Sequence, residues 1–225
     1  MKIMVLGGYG KLGRLIVRFA QQAQWDVTVV AHRDHPRILL GNVRRIIKDV
    51  VDLTQKDIAR IDVIVDTTGG WRKNTAHVIY DSLAHVVELL DEQPSTRYLK
   101  VGGANTLYIN REHSQQLQDL PSYYPAKYQF LCAAHQQALT RLRTYSNLVW
   151  TYVTPPVNFI PDGLATGEYQ VGSEEFKANL RGDDGRGDYI SYADFAQGLI
   201  AIIKENSHLR QQITLFHGDL PTETK

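Results

Sequence analysis

The chain has 225 residues, 43% of them hydrophobic and 22% charged, which suits one soluble α/β domain with a sizeable core. Its formal net charge is +1 and its Lys and Arg are scattered, so no electrostatic footprint for nucleic acid or an anionic membrane surface is present. Cys132 is the single cysteine, which excludes an intramolecular disulfide and fits a reducing cytoplasm.

The N-terminus is a short apolar strand, Ile3-Met4-Val5-Leu6, that runs straight into glycines. It lacks the basic start, the longer apolar stretch and the cleavage site of a signal peptide. No apolar run approaches the ~20 residues needed to span a bilayer. A cytoplasmic protein is expected. Leu12, Leu15, Ile16, Phe19 and Ala20 then form one helical stripe. Strands are predicted over 27–31, 43–47 and 61–65, and a long helix over 72–90, apolar along Ala76, Ile79, Leu83, Val86, Val87 and Leu90. A fifth strand over 97–101 ends at Gly102-Gly103. Strands alternating with helices predict βαβ units, a parallel sheet and right-handed crossovers.

The second half is less regular. Residues 105–125 read as a polar loop covering a site, 125–145 as a helix and 148–153 as a sixth strand broken by Pro155-Pro156. Residues 158–188, rich in Gly and Asp, read as a small irregular C-terminal lobe with strand-like pieces around 168–171. Ser191 with Asp194 reads as a capping pair opening a last helix through Ile203, and 212–216 as a closing strand. The whole reads as a single domain over 1–225, a Rossmann-like doubly wound parallel sheet whose acceptor-side lobe is formed mainly by 155–190.

The run Gly7-Gly8-Tyr9-Gly10-Lys11-Leu12-Gly13 sits between the first strand and the first helix. Its glycines follow the spacing G-x-x-G-x-x-G. The first allows a sharp turn, the middle one lets a pyrophosphate approach the backbone, and the last lets helix and sheet pack closely. The helix N-terminus then presents free N–H groups to the phosphates. A nicotinamide dinucleotide is the predicted ligand. Arg33 stands at the end of the second strand, where an NAD-selective site carries an acid, and its guanidinium suits a 2′-phosphate. NADP is favoured over NAD on that ground, with Asp34 as the alternative, an acid for the ribose hydroxyl.

These residues, with Asp49-Val50 after the third strand, Thr67-Thr68-Gly69-Gly70 after the fourth and Val101-Gly102-Gly103-Ala104 after the fifth, resemble the atypical short-chain dehydrogenase/reductases in their NAD(P)H-binding, NmrA-like branch. Gly185-Arg186 and the stretch from Ile190 to Ala196 extend the resemblance over nearly the whole chain. It implies a cofactor across the carboxyl ends of the strands. Asp49 and Val50 would flank the adenine, and Thr67, Thr68 and Gly69 would line the ribose and pyrophosphate. Gly102, Gly103, Pro155 and Val157 would approach the nicotinamide.

Many short-chain dehydrogenases use a Tyr-x-x-x-Lys pair in which the lysine lowers the tyrosine pKa. Tyr123 and Lys127 satisfy that spacing and are the candidate catalytic residues. Pro125 between them more naturally opens a helix, which would leave Tyr123 outside it and the pair on different faces. His32 and His35 lack a third ligand, so no metal is expected. His77 and His85 read as surface or locally bonded helix residues, and Cys132 as core. The function expected is NAD(P)H-dependent hydride transfer to a small carbonyl, quinone or flavin-like acceptor. The alternatives are a non-catalytic dinucleotide-binding redox sensor and an epimerase- or dehydratase-like enzyme. The expected partner is a small-molecule substrate, with no nucleic acid or membrane, and a homodimer is compatible with the chain.

Overall fold

The computed structural model describes residues 1–38, 40–176 and 189–217. In chain order the elements are β1 (Lys2–Leu6), α1 (Lys11–Gln22), β2 (Asp26–Ala31), β3 (Arg44–Ile47), α2 (Gln55–Ile58) and β4 (Val63–Asp66). There follow α3 (His77–Asp91), β5 (Arg97–Val101), α4 (Gln129–Arg143) and β6 (Trp150–Thr154). Last come β7 (Asn158–Ile160), β8 (Gln170–Gly172), β9 (Tyr189–Ser191), α5 (Tyr192–Glu205) and β10 (Gln211–Phe216).

Eight strands form one sheet in the order β3-β2-β1-β4-β5-β6-β10-β8. All neighbours run parallel except β8, which is antiparallel to β10. The chain winds outward from β1 through β3, then crosses back to lay β4 against the other side of β1. That reversal opens a crevice at the carboxyl ends of β1 and β4, where open α/β sheets bind ligands.

Alternation along β1 explains the two cores. Ile3 and Val5 pack on one face with Leu12 and Ile16 of α1 and Phe195 and Leu199 of α5. Met4 and Leu6 pack on the other with Ile79 and Leu83 of α3 and Leu139 and Leu142 of α4. Both faces are covered, so the central strands read as continuous apolar runs rather than alternating ones.

Several boundaries move. The helix predicted over 72–90 begins at His77, because a turn comes first, with Thr75 N–H and Ala76 N–H donating to the Arg72 carbonyl, each at 2.9 Å. The helix predicted over 125–145 begins at Gln129, preceded by a 3-10 turn, Ala126–Tyr128, that Pro125 opens. The strand-like piece around 168–171 is β8, which joins the edge of the main sheet beside β10 instead of belonging to a separate lobe. Periodicity missed the short parallel pair β7 and β9.

The predicted cap is present. Asp194 N–H donates to Ser191 Oγ at 2.9 Å. The buried Asp194 carboxylate also accepts from Thr166 N–H and Gly167 N–H, both at 2.8 Å, and so ties the loop after β7 to the start of α5. Gly185 and Arg186 lie outside the described residues.

Candidate cofactor and acceptor site

The glycine loop bridges β1 and α1 at the crevice. Gly7 takes φ +76°, a left-handed conformation that an L side chain strains to adopt, and a Cβ there would stand 2.9 Å from Thr67 Oγ1. Gly13 is held by contact: a Cβ would lie 2.4 Å from the Gly7 carbonyl oxygen and 2.8 Å from Gly8 Cα. Gly10 differs. Its φ of −64° is open to any residue, and its only near neighbour is the Gly7 oxygen at 3.1 Å. It leaves room on the ligand side.

Gly10 is also the N-cap of α1, without a side-chain cap, and the first turn holds no acidic residue. The opening amides of α1 are left for an anion. Across the crevice a Cβ on Gly69 would meet nothing within 4 Å. Two bare backbone segments therefore face each other over the switch point, a cradle that fits a dinucleotide pyrophosphate. Leu12 packs inward, while Lys11 pairs with Asp162 at 2.8 Å, linking the glycine loop to the segment after β7.

At the end of β2, Arg33 is exposed. Asp34 accepts from Tyr9 Oη at 2.8 Å and from His35 N–H at 2.8 Å. Burial and then Asp34 raise the Tyr9 phenol above its ordinary pKa, so it stays a donor. Beside β3, Asp49 is exposed and starts a 3-10 turn, Val50–Asp52, without capping it by its side chain, while Val50 is buried.

Thr67 and Thr68 turn their hydroxyls inward. Thr67 Oγ1 donates to the Leu6 carbonyl at 2.7 Å, and Thr68 Oγ1 donates to Asp66 Oδ1 at 2.5 Å. A ligand at this segment would meet their backbone and methyl groups. Beneath them lies an ion pair that pattern reading missed. Asp66 and Lys100 are register partners on β4 and β5, both side chains fully buried, with Lys100 Nζ 3.1 Å from Asp66 Oδ1. The ammonium also donates to the Thr68 carbonyl at 3.0 Å and to Thr68 Oγ1 at 3.1 Å, which supplies all three of its protons. Asp66 further accepts from Thr68 N–H at 2.8 Å and from Tyr98 Oη at 2.6 Å. Burial draws the Lys100 pKa down, against the opposing pull of Asp66, and raises the Tyr98 phenol well above its usual range. This network fixes the base of the segment from Thr67 to Gly70.

Beyond β5, Gly102 and Gly103 lie against an aromatic floor. A Cβ on Gly102 would meet the Tyr152 ring at 2.1 Å, and one on Gly103 would meet the His135 ring at 2.7 Å. His135 Nδ1 is 3.3 Å from Tyr152 Oη. Burial, helped by the Lys100 charge, lowers the His135 pKa to about 3, so the imidazole is neutral. Asn105 donates to Gln118 Oε1 at 3.0 Å and to the Cys132 carbonyl at 3.2 Å, drawing the polar loop onto α4. Pro155 is buried. A small apolar cluster of Ala104, Leu107 and Leu117, with Tyr124, Val157 and Phe176 against it, walls this side.

Tyr123 and Lys127 are not brought together on one helical face. Tyr123 lies in the turn before Pro125 with its ring edge-on to Phe176, centroids 5.5 Å apart. Lys127 lies in the 3-10 turn with its ammonium 5.0 Å from the Tyr128 ring centroid. Cys132 is buried, and its thiol pKa is pushed up to about 11 by that burial. Among the described residues no cluster of three or more His, Cys, Asp or Glu could hold a metal, and no helix is long and apolar enough to cross a membrane.

A doubly wound sheet with a glycine cradle at its switch point defines a dinucleotide-binding protein of the Rossmann class. Residues 7–206 match the model of the NAD(P)H-binding family, and the chain belongs to it, within the atypical short-chain dehydrogenase/reductases. It is 29% identical over 215 residues to the uncharacterized protein YwnB of Bacillus subtilis strain 168, covering 96% of this chain and 98% of YwnB. Among solved structures it is similar to SP1627 of Streptococcus pneumoniae TIGR4, a proposed NADH-flavin reductase. That match has 33% identity and a TM-score of 0.85, covering 96% of this chain and 99% of SP1627. The fold also matches ChuY, an anaerobilin reductase of Escherichia coli O157:H7, at TM-score 0.71 and 18% identity, over 98% of both chains.

Proposed function

We propose that the protein is an NAD(P)H-dependent oxidoreductase that reduces a small carbonyl, quinone or flavin-like acceptor. The observation that carries this reading is the placement of the half-buried Tyr124, Val157 and Phe176, backed by the buried Ala104, Leu107 and Leu117, in the cluster that directly follows Gly102-Gly103. A bound reduced nicotinamide supplies two electrons and a hydrogen as a hydride from its ring, and the acceptor's second proton comes from water. The chain's own residues bind and orient. The amides of α1 hold the pyrophosphate, the Asp66–Lys100 floor fixes the opposite lip, and the apolar wall excludes bulk water.

NADP(H) is the favoured cofactor. Arg33 is exposed at the end of β2, where a guanidinium suits a 2′-phosphate, while Asp34 Oδ1 is taken up by Tyr9 Oη and the His35 N–H. This reading does without Tyr123 and Lys127 as a catalytic pair, since Pro125 opens a 3-10 turn between them and the Lys127 ammonium lies over the Tyr128 ring. The lone, buried cysteine is consistent with action in the cytoplasm. The test is to mix the protein with NADPH or NADH and a panel of quinones, flavins and aldehydes, following loss of reduced-nicotinamide absorbance. Turnover of at least one class is expected. Tight dinucleotide binding with no turnover would reject the enzyme and favour a redox sensor.

A further inference from the structure

At the amino ends of β6 and β10, the end of the sheet opposite the glycine loop, lies a cavity of about 650 Å³. None of its lining residues belongs to the glycine cradle or to the apolar cluster beyond β5. One wall is the segment from Asn206 to Arg210, which contributes His208 and Arg210. Their φ angles are +58° and +57°, a left-handed conformation that glycine adopts freely and a residue with a Cβ adopts at a cost. The surrounding structure over-determines that strain. Arg97, buried and without a carboxylate pair among the described residues, donates from Nη2 to the Ser207 carbonyl at 2.6 Å and to Thr151 Oγ1 at 3.0 Å. Thr151 Oγ1 donates in turn to the His208 carbonyl at 2.9 Å, and Arg210 N–H donates to the Trp150 carbonyl at 2.6 Å. Strain held in place this firmly, at two side chains that line one cavity, points to a use for those side chains.

The charges on the walls say which use. Arg210 Nε donates to the Leu148 carbonyl at 3.1 Å, which fixes the guanidinium plane, and its two terminal nitrogens have no partner among the described residues. Glu174 is the one acid in the lining, and it is already paired with Arg143 and faced by His113 Nδ1 at 3.5 Å. Arg143 is held further by the buried Gln212, whose Oε1 accepts from Nη2 at 3.0 Å. Trp150 is 5% exposed, and its indole N–H has no acceptor among the described residues. The lining thus carries an unmatched cation and an unmatched donor, with Val171 and Ile213 as apolar neighbours.

We infer that this cavity is a second ligand site, taking a small organic anion whose carboxylate or phosphate is held by the free edge of Arg210 and whose carbon body rests among Trp150, Val171 and Ile213. A planar fork matches either oxyanion, and the volume suits a ligand of metabolite size. The site stands apart from the dinucleotide, so its occupancy does not depend on the oxidoreductase reading.

Calorimetric titration of the full chain, saturated with NADPH to fill the crevice, tests the site with benzoate, phenyl phosphate and benzylamine. Both anions are expected to bind with dissociation constants on the order of 1 mM, and the amine not to bind. A stronger response to one anion identifies the preferred oxyanion. Arg210→Gly, which suits the left-handed backbone, should stay folded and weaken both anions about tenfold. Arg210→Gln, which keeps most of the side chain without its charge, should reproduce that loss, and Arg210→Lys should recover only part of it. The inference falls if the parent binds neither anion, if benzylamine binds as well as benzoate, or if Arg210→Gly and Arg210→Gln bind the anions as the parent does. It falls as well if benzoate and phenyl phosphate bind only when NADPH is left out, because they then occupy the crevice.

Discussion

The two sides of the crevice offer a ligand different kinds of surface. Around the glycine cradle, between β1, α1 and β4, the surface at Gly10 and Gly69 is bare backbone. Thr67 and Thr68 both spend their hydroxyls on the protein. On the side proposed for the acceptor, beyond β5 and β6, the surface includes side chains carried by short irregular segments, such as the half-buried Tyr124 and Phe176 over the buried Leu107. A backbone site tolerates almost no added atom, whereas a side-chain site can be altered piecemeal. Substitutions should therefore act steeply on one side and gradually on the other.

The largest expected effect lies under the boundary between them. Lys100→Met removes the cation from a fully buried pair and leaves Asp66 charged without its partner, which costs about 3–5 kcal/mol of stability. Adding Asp66→Asn removes the orphaned charge while keeping an acceptor for Thr68 N–H, so the double variant should recover a substantial part. Urea unfolding of the two single variants and the double variant checks this. Additive losses would mean the pair is not coupled.

Next come two glycines that sequence spacing treats alike and the structure separates. Gly13→Ala places a Cβ 2.4 Å from a carbonyl oxygen, so backbone must shift, with a stability loss of about 1–3 kcal/mol together with loss of the dinucleotide. Gly10→Val meets only one atom, at 3.1 Å, and has an ordinary φ. It should keep nearly the parent melting temperature and still lose dinucleotide binding, because the added methyls occupy the pyrophosphate space. Calorimetric titration with NADPH beside a thermal melt distinguishes them. A Gly10→Val protein that binds normally would move the pyrophosphate elsewhere. Arg33→Ala is a smaller test of the same side. It should weaken NADPH about tenfold and NADH little, and equal losses would remove Arg33 from the 2′-phosphate.

The same contrast explains what could be read from the sequence. The glycine loop was legible because its physics is local: a turn, a close approach and a helix start fall within seven residues, Gly7 to Gly13. The parallel sheet followed from the alternation of apolar strands and amphipathic helices. Asp66 and Lys100 went unread because they meet only through strand register, although each is a charge in a buried central strand, the one available signal. His135 and Tyr152 were hidden for a related reason, since an α4 side chain and a β6 side chain converge under Gly103 and Gly102 with no pattern linking them. Tyr123 and Lys127 show the converse. Their spacing fits a catalytic pair on a helix, but Pro125 starts a 3-10 turn and the helical geometry that spacing assumes is absent there.

The effect expected at His135, beneath Gly103, is a dependence on pH rather than a fixed loss. An unfolded chain binds a proton at this residue near pH 6.5, whereas the folded chain does so only near pH 3, because burial and the Lys100 charge oppose it. Between those values the unfolded state holds the extra proton, so acidification draws the equilibrium toward unfolding. Above about pH 6.5 both states are neutral and the residue adds no slope. His135→Asn should therefore flatten the fall in stability from pH 6.5 downward, by at most about 1.4 kcal/mol per pH unit, whatever constant cost the substitution carries. Unfolding free energies of parent and variant at pH 7.5, 6 and 5 isolate the slope from that constant. Parallel lines would mean that His135 titrates in the folded protein as it does in the unfolded chain, and the neutral floor under Gly103 would have to be abandoned.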